Sequence, residues 1–69
     1  MKNNSYYIVE RNNPQFKKPY YIKRGQLSKR EANKSLATVY GTNYLIECPT
    51  YQEYIDKINE LVKQGFDIS

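Results

Sequence analysis

Thr50-Tyr51-Gln52-Glu53-Tyr54-Ile55-Asp56-Lys57-Ile58-Asn59-Glu60-Leu61-Val62-Lys63-Gln64-Gly65 is the stretch that decides the fold. Tyr51, Tyr54, Ile55, Ile58, Leu61 and Val62 recur at i, i+3, i+4, i+7 spacing, which predicts an amphipathic helix with one apolar stripe. Thr50 and Glu53 make a capping box at its start, and Gly65 reads as its C′ cap. Glu53 and Lys57 add an i,i+4 pair on the outer face. A helix with a single stripe has to bury it against another layer. The remaining chain must therefore supply a sheet.

Upstream of the helix, Tyr44-Leu45-Ile46-Glu47-Cys48 reads as a strand closed by Pro49. At the other end of the chain, Tyr6–Arg11 is rich in aromatic and β-branched residues and predicts a first strand. The turn formers Asn12-Asn13-Pro14-Gln15 and a basic loop to Lys18 separate it from a second strand, Pro19–Arg24. The two make an antiparallel hairpin, with Tyr20, Ile22 and Arg24 on one face and Tyr21 and Lys23 on the other. Gly25 is expected to end the second strand. Ser28-Lys29-Arg30-Glu31 is a further capping box with Leu27 and Ala32 in the staple positions. The helix it opens carries Ala32, Leu36, Val39 and Tyr40 at helical spacing. It runs through about Thr38 and stops at Gly41, with residues 37–40 as a strand the competing reading. Phe66–Ser69 either folds back over the core or adds a short edge strand.

These elements predict one α+β domain over residues 1–69, with residues 1–4 a flexible N-terminus. The expected architecture is a small two-layer sandwich of order β-β-α-β-α. Its three-stranded sheet has two helices packed on one face and the other face open to solvent.

Composition narrows the function. Sixty-nine residues bury about 60% of the surface the unfolded chain exposes, and such a scaffold reaches roughly 3–5 kcal/mol of stability. That leaves no room for a deep substrate cavity. With no histidine, Ser-His and Cys-His catalysis are excluded. No dense set of Asp, Glu and Cys suits a metal, and Gly25, Gly41 and Gly65 read as terminators rather than a phosphate loop. The expectation is a protein without enzymatic activity, cofactor, metal or small-molecule substrate. Cys48, the one cysteine, reads as a small buried hydrophobe in a reducing, cytoplasmic setting. The longest apolar run is Tyr6 to Val9, far short of a membrane span. Asn, Lys, Tyr and Ile supply 29 of the 69 residues, a usage that hints at a low-GC bacterium or one of its phages.

Charge supplies the positive signal. Residues 1–35 hold nine of the eleven Lys/Arg against Glu10 and Glu31, a net of +7, whereas residues 36–69 carry a net of −3. A molecule polarised in this way attracts polyanions in a definite orientation. Lys17, Lys18, Tyr20, Tyr21, Lys23, Arg24, Lys29, Arg30 and Lys34 fall within eighteen residues. The cations suit phosphates, and Tyr20 or Tyr21 suits stacking on unpaired bases. The leading expectation is therefore a nucleic-acid binder, of DNA or RNA, using residues 17–34. In size and composition the chain also resembles small phage proteins that block a larger host protein. The alternative expectation is accordingly a phage or mobile-element protein that docks the same face on an acidic protein surface. An open sheet edge leaves room for a homodimer.

Overall fold

The computed structural model describes residues 4–15, 17–34, 36 and 42–69. The order is β1 (Ser5–Asn12), β2 (Tyr20–Leu27), α1 (Lys29–Lys34), β3 (Thr42–Cys48), α2 (Tyr51–Lys63) and β4 (Asp67–Ile68). The α+β class and the two helices agree with the sequence reading. The expectations for residues 1–3 as a flexible terminus, for 37–40 as helix or strand and for Gly41 as a terminator lie outside the described residues.

The sheet has four strands, not the three expected, in the order β3-β1-β2-β4. β1 sits between β2 and β3 and is antiparallel to both. In the hairpin loop the Asn13 side-chain oxygen accepts from the Gln15 amide at 2.9 Å, an Asx turn that starts the reversal. β2 does not stop at Gly25. It continues to Leu27 through a one-residue register shift: Tyr7 pairs with Gly25 and Ile8 with Lys23, so Arg24 has no partner across the ladder. Gly25 has φ +76°, a left-handed conformation that makes this a glycine bulge.

The fourth strand follows from how α2 ends. The Phe66 amide bonds to the Leu61 carbonyl and the Gly65 amide to the Val62 carbonyl, each at 3.0 Å, with Gly65 at φ +89°. This is a Schellman cap, and Phe66 and Leu61 both belong to the core it closes. The turn returns the chain alongside β2, where Tyr20 pairs with Asp67 and Tyr21 with Ile68 in parallel. Two further bonds, Ser69 N–H to the Tyr21 carbonyl at 3.0 Å and Lys23 N–H to the Ser69 carbonyl at 2.9 Å, lock it there.

The helices do not share a face. α2 packs over Ile8, Tyr21 and Cys48 through Tyr54 and Leu61, with Tyr6, Ile46, Ile55, Ile58, Phe66 and Ile68 around them. Tyr7 and Val9, which alternate with Ile8 and so point to the other side of the sheet, are equally buried at 0% and 2% exposure. Of the described residues between β2 and β3, α1 and Leu36 lie on that side. Lys29 of α1 reaches Glu47, the β3 residue paired with Tyr7, and the Leu36 carbonyl accepts from the Asn43 side chain at 3.0 Å. Handedness explains the arrangement. β2, β3 and β4 are mutually parallel, and the chain crosses the sheet in one direction from β2 to β3 and in the opposite direction from β3 to β4. Two right-handed crossovers running in opposite directions place their helices on opposite faces. The expected two-layer sandwich with an open face is thus replaced by a sheet covered on both sides.

The α1 capping box forms in full, and at α2 the Thr50 half of the box forms. Ser28 and Glu31 exchange bonds: the Glu31 amide donates to Ser28 Oγ at 3.3 Å, and the Ser28 amide donates to Glu31 Oε1 at 3.2 Å. At α2 the Glu53 amide donates to Thr50 Oγ1 at 3.2 Å. The helix begun at Ser28 ends at Lys34, short of Thr38. On α2, Lys57 pairs with Glu60 at 3.6 Å rather than with Glu53.

Candidate nucleic-acid interface

Seven cations were singled out by sequence, and all seven side chains are exposed. Lys17 and Lys18 lie in the hairpin loop, Lys23 and Arg24 in the middle of β2, and Lys29, Arg30 and Lys34 on α1. β2 spans roughly 26 Å at about 3.3 Å per residue. The cations therefore string out along one strand and the helix that follows it, as a stripe that passes from the α2 side of the sheet at Lys23, paired with Ile8, to the opposite side at α1. The bulge shapes the middle of the stripe. The Tyr54 hydroxyl accepts from the Gly25 amide at 3.2 Å, so α2 supports the backbone turn beside the unmatched Arg24.

Among the described residues, six of the seven cations form no ion pair; Lys29 is the exception, 3.7 Å from Glu47 Oε1. Glu47 was not a sequence candidate. Its other oxygen accepts from Ser5 Oγ at 2.9 Å and from the Tyr7 hydroxyl at 3.2 Å. These two bonds, aided by the Lys29 charge, hold its carboxyl below the usual carboxylate range. Glu47 thus neutralises one cation and ties α1 to β3. The available signal was an acidic residue placed between Ile46 and Cys48 in an otherwise apolar strand.

The tyrosine reading needs correction. Tyr21 is 5% exposed, its ring meets Phe66 edge-on at 5.4 Å, and its hydroxyl donates to Glu10 at 3.0 Å. Burial and the adjacent Glu10 carboxylate both push the phenol pKa upward. A base cannot reach that ring. Tyr20 is half-buried on the other face, with the Arg11 guanidinium 5.7 Å from its ring centroid. Tyr21 therefore offers no stacking surface, whereas the Tyr20 ring stays partly exposed.

At the loop end of the stripe, Lys18, Pro19 and Tyr20 face Gly65 and Asp67 across an open groove of about 540 Å³. Asp67 opposite Lys18 makes this end of mixed sign, so the stripe is most positive from Lys23 to Lys34. Cys48 is buried, and that burial raises its thiol pKa, in keeping with the reading of a small hydrophobe. The described residues contain no group of three or more His, Cys, Asp and Glu able to hold a metal, and no helix among them is long and apolar enough to cross a membrane. No protein-family model, curated protein or solved structure matches the chain.

Proposed function

We propose that the protein is a non-enzymatic nucleic-acid-binding protein that follows a phosphate backbone with the cations of β2 and α1. One observation carries the reading. Lys17, Lys18, Lys23, Arg24, Arg30 and Lys34 are all exposed, and among the described residues none of them is ion-paired. The burial of Tyr21 favours duplex over single strand. α1, six residues long, is too short to read a groove as a recognition helix does, so contact is with the backbone and carries little sequence preference. The working compartment is the reducing cytoplasm, where Cys48 remains a thiol.

The second reading is an acidic surface on a larger protein, such as a host enzyme that a phage product would block. The burial of Tyr21 favours it, because cations with little aromatic surface suit a carboxylate-rich protein equally well.

Fluorescence anisotropy with a labelled duplex across a salt series decides between them. If all six cations engage phosphates, log affinity falls against log salt with a slope near −5, at about −0.9 per contact. Arg24→Glu with Arg30→Glu lowers that slope by about two contacts. Lys29 is left intact because its replacement would strip Glu47 of its partner. No duplex binding at low salt, with capture of one acidic partner that the double variant loses, moves the assignment to the second reading.

A further inference from the structure

By spacing Tyr51 belongs to the apolar stripe of α2, yet it is 58% exposed. Its ring is still held in place by two others. Tyr6 meets it edge-on, with centroids 5.4 Å apart and planes at 65°, and Tyr54 lies 6.2 Å away. Tyr6 and Tyr54 are 5.3 Å apart, which closes a cluster of three rings. Tyr54 is buried, and its hydroxyl accepts from the Gly25 amide of the bulge at 3.2 Å. A ring fixed by its neighbours has already given up much of its rotamer freedom. It binds a further flat group at little ordering cost.

The same cluster borders the cations. Tyr6 pairs with Gln26 and Ile8 with Lys23, and both Tyr6 and Ile8 pack toward α2. Lys23 therefore shares the α2 side of the sheet with the cluster, two β1 residues or roughly 7 Å along the strand from Tyr6. Arg24 adjoins the amide that Tyr54 holds. Both cations are exposed, and among the described residues neither is ion-paired. In the first turns of α2, Asp56 accepts from the Gln52 side chain at 2.9 Å, and the charge of Glu53 is opposed at Cys48 by that of Lys57.

We propose that Tyr51 is the stacking platform for an unpaired nucleobase, at a point where the duplex tracked by Lys23 and Arg24 ends or is gapped. The proposal rests on the phosphate reading of β2 and adds a base subsite to it. Bases inside a duplex are covered on both faces by their neighbours, so only an unpaired one can lie on Tyr51. The two halves of the site together select this occupant. The ring takes a flat π-face, the adjoining cations take an anion, and a nucleotide carries both at close separation. An aromatic or proline-rich peptide supplies the flat group without the anion. Stacking of this kind accepts any base, because each has a π-face. The preference is thus for a junction between paired and unpaired nucleic acid, not for a sequence. Tyr51 takes the role that the burial of Tyr21 leaves vacant.

Fluorescence anisotropy at low salt compares three labelled duplexes: one blunt, one with a short single-stranded overhang, and one with the same overhang made abasic. The abasic strand keeps every phosphate and lacks only the bases. The intact overhang should bind about fivefold to a hundredfold tighter than the abasic one. Tyr51→Ala should erase that difference while blunt-duplex affinity and the circular dichroism stay at parent values. Tyr51→Phe, which keeps the ring, should retain it. With the unaltered chain, 2-aminopurine placed in the overhang should lose emission on binding as it stacks. Equal binding of intact and abasic overhangs overturns the proposal. So does a preference that Tyr51→Ala leaves unchanged, which puts the base elsewhere. A dimer by light scattering that Tyr51→Ala dissolves gives the ring to a second copy and overturns it as well. Failure of the phosphate reading looks different: none of the three duplexes binds, and both assignments fall together.

Discussion

Gly25→Ala isolates the energetic cost of the bulge that sets Arg24 on the β2 margin. A Cβ built at Gly25 meets nothing within 4 Å, so no steric clash contributes. What remains is conformational, because φ is +76°. An L-residue in the left-handed region costs about 1–2 kcal/mol. Replacing glycine also restricts the unfolded chain, which returns about 0.4–1 kcal/mol. The net loss is about 1 kcal/mol, a large share of the roughly 3–5 kcal/mol expected for an unstapled chain of this size. In a domain of 60–100 residues that lowers Tm by about 4–8 °C. Thermal unfolding followed by circular dichroism reads it directly. Gly25→Asn should lose less, because asparagine tolerates this region better than alanine. Alanine as stable as glycine would show that the positive φ is not adopted in solution. Equal losses for alanine and asparagine would show that space, not backbone conformation, sets the cost.

Leu61→Ala removes the α2 side chain that is 3% exposed in the main core. Such truncations cost about 2–5 kcal/mol, enough to leave the chain largely unfolded by urea titration at 25 °C. A two-state transition within half a kcal/mol of the parent would contradict its central placement. Glu47 predicts an acid limb. Its carboxyl is held below the ordinary 4.5 by Ser5 and Tyr7, so the folded state takes up the proton later than the unfolded state does. The stabilisation is therefore present above pH 4.5 and lost as pH falls through the lowered value. Urea midpoints of the parent and Glu47→Gln, compared from neutral to strongly acidic pH, should converge in acid. A constant gap would mean that the carboxylate does not contribute through its ionisation.

Local chemistry was legible wherever a few neighbouring residues determine the outcome. Ser28 with Glu31, Thr50 as the α2 cap and the Asn13 turn each need only a few residues of context and are found as read, and the α2 stripe is found for Tyr54, Ile55, Ile58 and Leu61, whereas Tyr51 and Val62 are exposed. The placement of α1 needed the handedness of two crossovers, a property of strand order rather than of any segment. One sign of it was present: Tyr6-Tyr7-Ile8-Val9 is apolar without alternation, the mark of a strand buried on both faces. β4 is two residues long, too short for any periodicity. For the site, spacing correctly put Tyr20 and Tyr21 on opposite faces but could not say that Tyr21 would be buried under Phe66. Exposed lysines and arginines are recognisable from chemistry alone, whereas the Lys29–Glu47 pair joins residues eighteen apart in sequence.

The central position of β1 has a kinetic consequence. The first strand made is the innermost, and it finds β2 early through the hairpin. Its other margin stays unsatisfied until β3 arrives some thirty residues later, and β2 waits for β4 at the very end. Sheet completion thus depends on closing long loops, so folding should be slow for so short a polypeptide, nearer to β-rich domains than to helical bundles. During that interval the half-built sheet displays Tyr6 to Val9 to any chaperone, or to any neighbouring nascent chain.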